Sequence, residues 1–194
     1  MRSSPLIRLR SVLEPTLRHP RRPPTDKAAA VAAILREGSL GPEVLFIRRA
    51  ERDGDPWSGH MAFPGGRFEA GDSDLLRTAV RETDEEVGVD LERSAELLGA
   101  LEDQDATGRG GLLGWPIRPY VFQLVSAPTF SLSQEVTELV WTPLTRLTSG
   151  ENRTTVSIQY KGVDYDLPGW DLEGRVVWGL TYRMMSTLLG HLDR

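Results

Sequence analysis

Three glutamates near the middle of the chain are the residues whose types and spacing most clearly suggest chemistry. Glu82 and Glu86 are four residues apart, and Glu85 lies between them. On a helix, side chains at this spacing have Cβ atoms about 5–6 Å apart, so two carboxylates would repel each other. Solvent, the nearby Arg81 or a bound cation would relieve that repulsion, and hard cations such as Mg²⁺ prefer oxygen ligands. The cluster indicates either a solvated acidic helix face or a divalent-metal site.

The helix that carries these residues can be delimited from its ends. Asp72 or Ser73 can accept a hydrogen bond from a free backbone amide at its start, and Gly88 suits the left-handed position after its end. The preceding Phe63-Pro64-Gly65-Gly66 is predicted to be a glycine loop that leads into the helix. Small and apolar residues recur at helical spacing and predict the face that packs on a core: Leu76, Ala79, Val80, Thr83 and Val87.

This stretch resembles the signature of the Nudix hydrolases, G-x5-E-x7-R-E-U-x-E-E-x-G-U, in which U is aliphatic. Residues 81–89, RETDEEVGV, fit the second half except that Thr83 replaces an aliphatic residue. In the first half the acid is Asp72 instead of glutamate, and eight residues rather than seven separate it from Arg81. The Phe63-Pro64-Gly65-Gly66 run precedes the signature as it does in the family.

The resemblance implies a hydrolase that cleaves the pyrophosphate bond of a nucleoside diphosphate linked to another moiety, with Mg²⁺ or Mn²⁺ as cofactor. It implies that Glu82 and Glu86 are the main metal ligands, that Glu85 contributes directly or through water, and that the carbonyl of Gly66 completes the shell. Arg81 would hold the carboxylates in place. In such a reaction water attacks phosphorus, and the cation neutralises charge on the oxygens and acidifies water.

A general base is expected outside this helix, because glutamates bound to a metal are poor proton acceptors. Glu135 is the first candidate, since it precedes a strand that ends in Trp141-Thr142-Pro143-Leu144, where several members of the family place a functional glutamate. Glu138, Glu102 and Asp105 are the alternatives.

Three arginines follow a strand pattern at residues 43–47 and are candidates for binding the substrate: Arg48, Arg49 and Arg52. A guanidinium group matches phosphate oxygens bidentately. The alternative is a solvated turn that balances the glutamates. His60, close behind, is interpreted as structural.

Within the family, the chain is most similar to the coenzyme A diphosphatases, over roughly residues 26–190. Asp72 and the longer spacing contribute to this similarity, although Asp55 stands where that subgroup has an arginine. Coenzyme A or its thioesters are the first substrate class; ADP-ribose or nucleotide sugars come next, and a non-catalytic nucleotide sensor is the alternative. Three further segments carry the similarity: residues 117–121 (IRPYV), 135–138 (EVTE) and 178–183 (WGLTYR).

The composition is that of an ordinary globular domain, with 194 residues, 39% hydrophobic and 26% charged. The absence of cysteine excludes disulfides, thiolate zinc sites and cysteine nucleophiles. No apolar run approaches the roughly 18 residues of a membrane span, so a soluble, cytoplasmic protein without a membrane partner is expected. Residues 1–27 carry six Arg and one Lys against Glu14 and Asp26, which leaves an acidic body and argues against nucleic-acid binding.

Two regions are predicted: an N-terminal helix with a Pro/Arg-rich linker (residues 1–25) and the Nudix domain (residues 26–194). The first helix could pack on another subunit, which would make a homodimer. Residues 27–35 fit a helix or a buried strand by composition, and the resemblance settles them as a strand.

The remaining pattern predicts an α+β fold, which the resemblance specifies as an α/β/α sandwich around a mixed sheet, with extra N- and C-terminal helices. Residues 102–111 are interpreted as a polar loop, and residues 115–125 as an edge or bulged strand because they contain two prolines. The other predicted elements are strands at residues 95–101 and 135–141, a short helix after Pro143, a hairpin at 156–167 that turns at Lys161-Gly162, and a closing helix at 175–192.

Overall fold

The computed structural model describes residues 5–18, 27–53, 58–108 and 111–192. The helices are α1 (Pro5–Leu13), α2 (Leu75–Val87), α3 (Leu91–Ser94), α4 (Leu144–Thr148) and α5 (Gly179–Leu192), with a 3₁₀ turn at Glu14–Arg18. The strands are β1 (Ala29–Gly38), β2 (Gly41–Arg49), β3 (Met61–Ala62), β4 (Gly65–Arg67), β5 (Ala95–Ala100), β6 (Gln104–Gly108), β7 (Gly111–Leu124), β8 (Val136–Pro143), β9 (Arg153–Tyr160), β10 (Val163–Asp171) and β11 (Val176–Trp178).

The main sheet is mixed and lies between two helical layers. Its path is β3-β2-β1-β7-β5, with β4 paired to β1, β6 to β7 and β8 to β2; only the β1–β7 pair is parallel among these described strands. Along β1, Ala32 and Ile34 belong to the core beneath α2, whereas Ala33 and Leu35 belong to the core beneath α1 and α5. Both faces of β1 are buried, which explains why its sequence shows no alternation. The predicted sandwich is confirmed.

The N-terminal helix α1 is part of this core. Leu6, Leu9 and Leu13 are at most 1% exposed and pack with residues of α5. Backbone atoms of Leu13 approach Gly99 so closely that a Cβ there would lie 2.5 Å from them. These three leucines are therefore covered by their own chain, whereas Ile7 and Val12 of the same helix are 63% and 39% exposed. Residues 19–25 of the predicted linker lie outside the described residues.

Several predicted boundaries were wrong for identifiable reasons. The stretch predicted as a polar loop contains β6, which pairs with β7. The strand β7 lies between β1 and β5 rather than at an edge, but it is bulged, as the other half of the prediction allowed, because residues 113–115 of β7 lie opposite the single residue 106 of β6. Residues 176–178, predicted as the start of the closing helix, form β11, and α5 begins at Gly179.

A second sheet, β11-β10-β9, is antiparallel. Its β9–β10 hairpin turns at Lys161 and Gly162, whose φ angles of 50° and 77° are those of a type I′ turn. The predicted hairpin is confirmed.

Candidate active site

Helix α2 does not begin as the sequence pattern suggested. Asp74, rather than Asp72 or Ser73, is the N-cap, and its side chain accepts a hydrogen bond of 2.8 Å from the Arg77 amide. At the other end, Gly88 has a φ of 69° and is the left-handed cap that was predicted.

Asp72 has a different role. Its carboxylate is buried and accepts hydrogen bonds from the Thr78 hydroxyl (2.9 Å) and the Glu69 amide (3.1 Å). Arg81 donates two more through Nε and Nη2, both at 3.0 Å. These bonds, above all those from Arg81, lower the pKa of Asp72 to about 2. Asp72 thus holds the guanidinium group of Arg81.

Arg81 links the helix to the glycine-rich strand β4. Beyond Asp72, its Nη1 donates to Glu82 (3.0 Å) and to Glu85 (2.9 Å), and its Nη2 donates to the carbonyl of Arg67 in β4 (3.0 Å). The pKa of Arg81 is raised, chiefly by its hydrogen bonds to Asp72. The guanidinium therefore fixes the orientation of two of the three glutamates.

Glu82 lies directly against Gly66. A Cβ at Gly66 would lie 2.4–2.5 Å from the carboxylate atoms of Glu82, so a side chain there would displace this carboxylate. Burial raises the pKa of Glu82, although the neighbouring Arg81 opposes the shift. The structure thus brings together the predicted pair of Glu82 and Gly66.

Glu86 is the most buried of the three glutamates, with 3% of its surface exposed. It accepts a hydrogen bond of 2.8 Å from the Gly65 amide, and Arg49 Nη1 lies 4.0 Å from its other oxygen. Burial raises the pKa of Glu86 to about 7, and the negative charges of Glu82 and Glu135 add to the shift. Its charge is therefore only partly compensated by the protein.

A divalent cation fits this donor set. Within the described ranges no three acidic or histidine side chains already form a metal cage; Arg81 bridges Glu82 and Glu85 instead. However, Mg²⁺ usually takes only one or two carboxylates and fills its shell with water and substrate phosphates. Glu82 and Glu86 are two partly desolvated carboxylates beside the backbone of Gly65 and Gly66, and they match that requirement.

The other candidate acids are more exposed than Glu82 and Glu86. Glu135 is half exposed, and its carboxylate lies 3.2 Å from Arg52. It contributes negative charge at Glu86 and thus faces the α2 side. Glu85 is 57% exposed at the rim of the cluster. Glu102 and Asp105 are exposed.

The three predicted substrate arginines do not converge. Arg49 points toward Glu86 and Arg52 toward Glu135. Arg48 is paired in register with Glu138, and its charge helps to lower the pKa of that glutamate. Arg48 thus lies on the other face of β2, away from α2. Glu138 is held there by Arg175, whose Nε lies 2.8 Å from both carboxylate oxygens.

Near the site lie a cation–ring contact and an ion pair that the sequence did not predict. The Arg67 guanidinium lies 4.6 Å from the centre of the Trp115 ring, next to the carbonyl that Arg81 binds. Asp103, between two candidate acids, forms a two-bond ion pair with Arg118 at 2.8 and 2.9 Å. The ring of His60 lies 5.0 Å from that of Trp178, in keeping with a structural role.

The comparisons with known proteins agree on one family. The NUDIX domain family model matches residues 26–163. An uncharacterized protein of Schizosaccharomyces pombe is 41% identical over 60% of this chain, and the match spans 36% of that protein's length. The uncharacterized Nudix hydrolase NudL of Yersinia pestis is 30% identical over 78% of this chain and 71% of its own length.

A solved structure agrees at the level of fold. The Ap4A hydrolase of C. elegans, crystallised as a binary complex, superposes with a TM-score of 0.52 and 22% identity, covering 63% of this chain and 83% of its own. Among the described helices, none has the length and apolar character that a membrane span requires.

Proposed function

Because the chain belongs to the NUDIX domain family, we propose that it is a pyrophosphohydrolase that uses a divalent cation to cleave a nucleoside diphosphate linked to another moiety. The observation that carries this proposal is the placement of Glu82 and Glu86 against Gly65 and Gly66. A buried carboxylate, Glu86, and a partly buried one, Glu82, whose charges are incompletely compensated are unfavourable for stability alone, and binding of a cation explains their presence.

In the proposed enzyme, Glu82 and Glu86 hold Mg²⁺ or Mn²⁺, and the carbonyl of Gly66 and the more exposed Glu85 are further candidate ligands. The bound cation would neutralise charge on phosphate oxygens and lower the pKa of water. Arg81 keeps Glu82 and Glu85 in fixed orientations through its hydrogen bonds. We assign Arg81 a positioning role on this basis.

Arg49 and Arg52 are the proposed contacts for the substrate diphosphate, because both lie on the side of Glu86 and Glu135. Arg48 is a weaker candidate, since it lies beside Glu138 on the other face. Glu135 is the proposed general base. It is half exposed, so water can reach it, and its partner Arg52 can orient its carboxylate. Glu138 is less suited, because hydrogen bonds from Arg175 lower its pKa.

For the substrate we propose coenzyme A or its thioesters. The similarity of residues 117–121, 135–138 and 178–183 to coenzyme A diphosphatases supports this choice, as does the longer spacing between Asp72 and Arg81. Hydrolysis would give 3′,5′-ADP and 4′-phosphopantetheine or its acyl derivative.

Product analysis tests the proposal. The purified chain is incubated with Mg²⁺, and separately with Mn²⁺, and with coenzyme A, acetyl-coenzyme A, ADP-ribose, a nucleotide sugar and Ap4A. Formation of 3′,5′-ADP is expected. Turnover of the other compounds alone would keep the reaction class and reject coenzyme A, whereas tight binding by calorimetry without any product would identify a nucleotide sensor.

A further inference from the structure

The segment of residues 130–136 crosses the C-terminal end of α2 and leads into β8. Its Ser131 amide donates a hydrogen bond to the carbonyl of Val87 (2.9 Å), and its Ser133 amide donates one to the carbonyl of Glu86 (3.0 Å). Both carbonyls belong to the last turn of the helix, where carbonyl groups have no partner within the helix. The segment therefore binds the backbone of Glu86 itself.

Packing fixes the course of this segment at both ends. Phe130 packs against the core beneath α2, with its ring centre 6.1 Å from that of Trp141, and Val136 is 4% exposed in the same core. In between, a Cβ at Gly88 would lie 2.9 Å from the Cβ of Ser131. The segment thus lies in direct contact with the end of the helix and cannot shift along it without losing these contacts.

A turn in the segment fixes the backbone of Glu135. The Val136 amide donates to the Ser133 carbonyl at 3.3 Å, and the Ser133 hydroxyl accepts a hydrogen bond of 3.2 Å from the Glu135 amide. Serine is favoured at the first position of such turns, because its hydroxyl binds the amide two residues further along. The Glu135 carbonyl accepts a hydrogen bond of 2.8 Å from the Ala50 amide. Both backbone groups of Glu135 are therefore held, while its side chain is 49% exposed.

A bulge between β2 and β8 sets the position of this turn along β2. The register changes from Arg48 opposite Glu138 to Arg49 opposite Val136, so one residue of β8 between these pairs is extra. Bulges are common next to active sites, where they redirect a side chain. The extra residue brings Glu135 level with the residue after Arg49. The turn therefore lies beside the arginine that approaches the acidic cluster of α2.

We propose that Ser133 is a positioning residue for the reaction, because it holds the candidate base Glu135 at a fixed place relative to Glu86. The inference rests on the proposed function, in which Glu135 takes a proton from water. Ser133 binds the Glu86 carbonyl through its amide and the Glu135 amide through its hydroxyl, so one residue joins the backbones of both acids. A general base must stay within hydrogen-bond reach of the proton that it abstracts, and a displacement of about 1 Å can lower the rate about 100-fold.

Steady-state kinetics on the full chain with Mn²⁺ and, in turn, coenzyme A, ADP-ribose and Ap4A tests the inference. Ser133→Ala removes the hydroxyl and should lower kcat about tenfold while KM stays within about twofold, which is part of the roughly 100-fold contribution of a general base. Ser133→Thr retains a hydroxyl and should restore kcat to within about threefold of wild type. The matched control is Ser131→Ala, which should have the kcat of wild type, since Ser131 binds the helix through its backbone amide and this bond survives the substitution.

A double-mutant cycle separates positioning from a general structural role. In a Glu135→Gln background, Ser133→Ala should cause no further fall in kcat, because the residue that it positions has already lost its function as a base. A fall of the same size in both backgrounds would overturn the inference, as would a Ser133→Ala variant with the kcat of wild type or a Ser133→Thr variant as slow as Ser133→Ala. A wild type that turns over none of the three compounds would reject the proposed function itself, and this inference with it.

Discussion

Two glutamates on opposite faces of the main sheet are compensated in different ways. Glu86 lies on α2 and points toward β4, is 3% exposed and has Arg49 Nη1 4.0 Å away. Glu138 lies on the face of α1 and α5, is about one-third exposed and accepts hydrogen bonds from Arg175. Burial raises the pKa of Glu86 to about 7, whereas Arg175 lowers that of Glu138. In this comparison Glu138 already has a close arginine partner, whereas Glu86 does not and can bind a divalent metal ion instead.

The largest effect expected from this comparison is on turnover. Glu86→Gln keeps the acceptor for the Gly65 amide but removes the charge, so kcat/KM should fall roughly 1,000-fold, equivalent to about 4 kcal/mol of transition-state stabilisation. Glu138→Gln should stay within about threefold of wild type. Steady-state kinetics with saturating Mg²⁺ measures both. Equal losses in the two variants would show that the difference between the faces has no catalytic meaning.

Arg81→Lys should have the next largest effect. A lysine cannot reproduce the fork that holds Asp72 while it also bonds Glu82 and Glu85, so kcat is expected to fall about 100-fold, or about 2.7 kcal/mol. The control is Arg77→Lys, one turn earlier, because the guanidinium of Arg77 pairs with the exposed Glu92 at 3.3 Å. A loss of kcat in Arg77→Lys comparable to that in Arg81→Lys would contradict the positioning role.

Asp72→Asn should act on stability with a defined pH dependence. The pKa of Asp72 is about 2 when folded, against 3.8 as a reference, so its charge contributes about 2 kcal/mol at neutral pH. Because the folded pKa is the lower one, this contribution is present above pH 3.8 and is lost as the pH falls toward 2. Urea unfolding of both proteins should show a constant difference from pH 7 to pH 5 that shrinks below pH 4. A difference that grew on acidification would reject this account.

The smallest effect is expected for the stability of Glu138→Gln. Partly exposed ion pairs contribute at most about 1 kcal/mol, so the free energy of unfolding should fall by no more than that. Since Arg175 lowers the pKa of Glu138, the contribution is present at neutral pH and fades as the pH falls below the usual range of a glutamate. Urea unfolding at pH 7 and at pH 4 checks this, and a loss of several kcal/mol at pH 7 would contradict the assignment of Glu138 to an ordinary, partly exposed ion pair.

Much of the fold could be predicted from local patterns. The end of α2 at Gly88, the turn at Lys161 and Gly162, and the strands at residues 43–47 and 135–141 each follow from residue types at fixed positions. The central position of β7 could not be predicted, because its two prolines suggest an edge and only its neighbours β1 and β5 reveal otherwise. The strand β6 had polar residues and no alternation to mark it.

The sequence predicted which residues form the site, but it did not predict how they are arranged. The spacing of Glu82 and Glu86 placed both on one helix, and Gly66 was expected beside them. Their burial depends on how closely β4 approaches α2, which no local pattern encodes. The role of Asp72 was missed, because an acid just before a helix is usually a cap. Its true partner, Arg81, lies nine residues away in sequence.

Direct measurement of Mn²⁺ binding tests the central claim, that the incompletely compensated carboxylates of Glu82 and Glu86 on α2 hold the cation. Free Mn²⁺ is followed by electron paramagnetic resonance in titrations of the wild type, Glu86→Gln and Glu138→Gln at pH 7.5. The wild type and Glu138→Gln should bind with equal affinity, and Glu86→Gln at least tenfold more weakly. Equal affinity in all three proteins would contradict the claim.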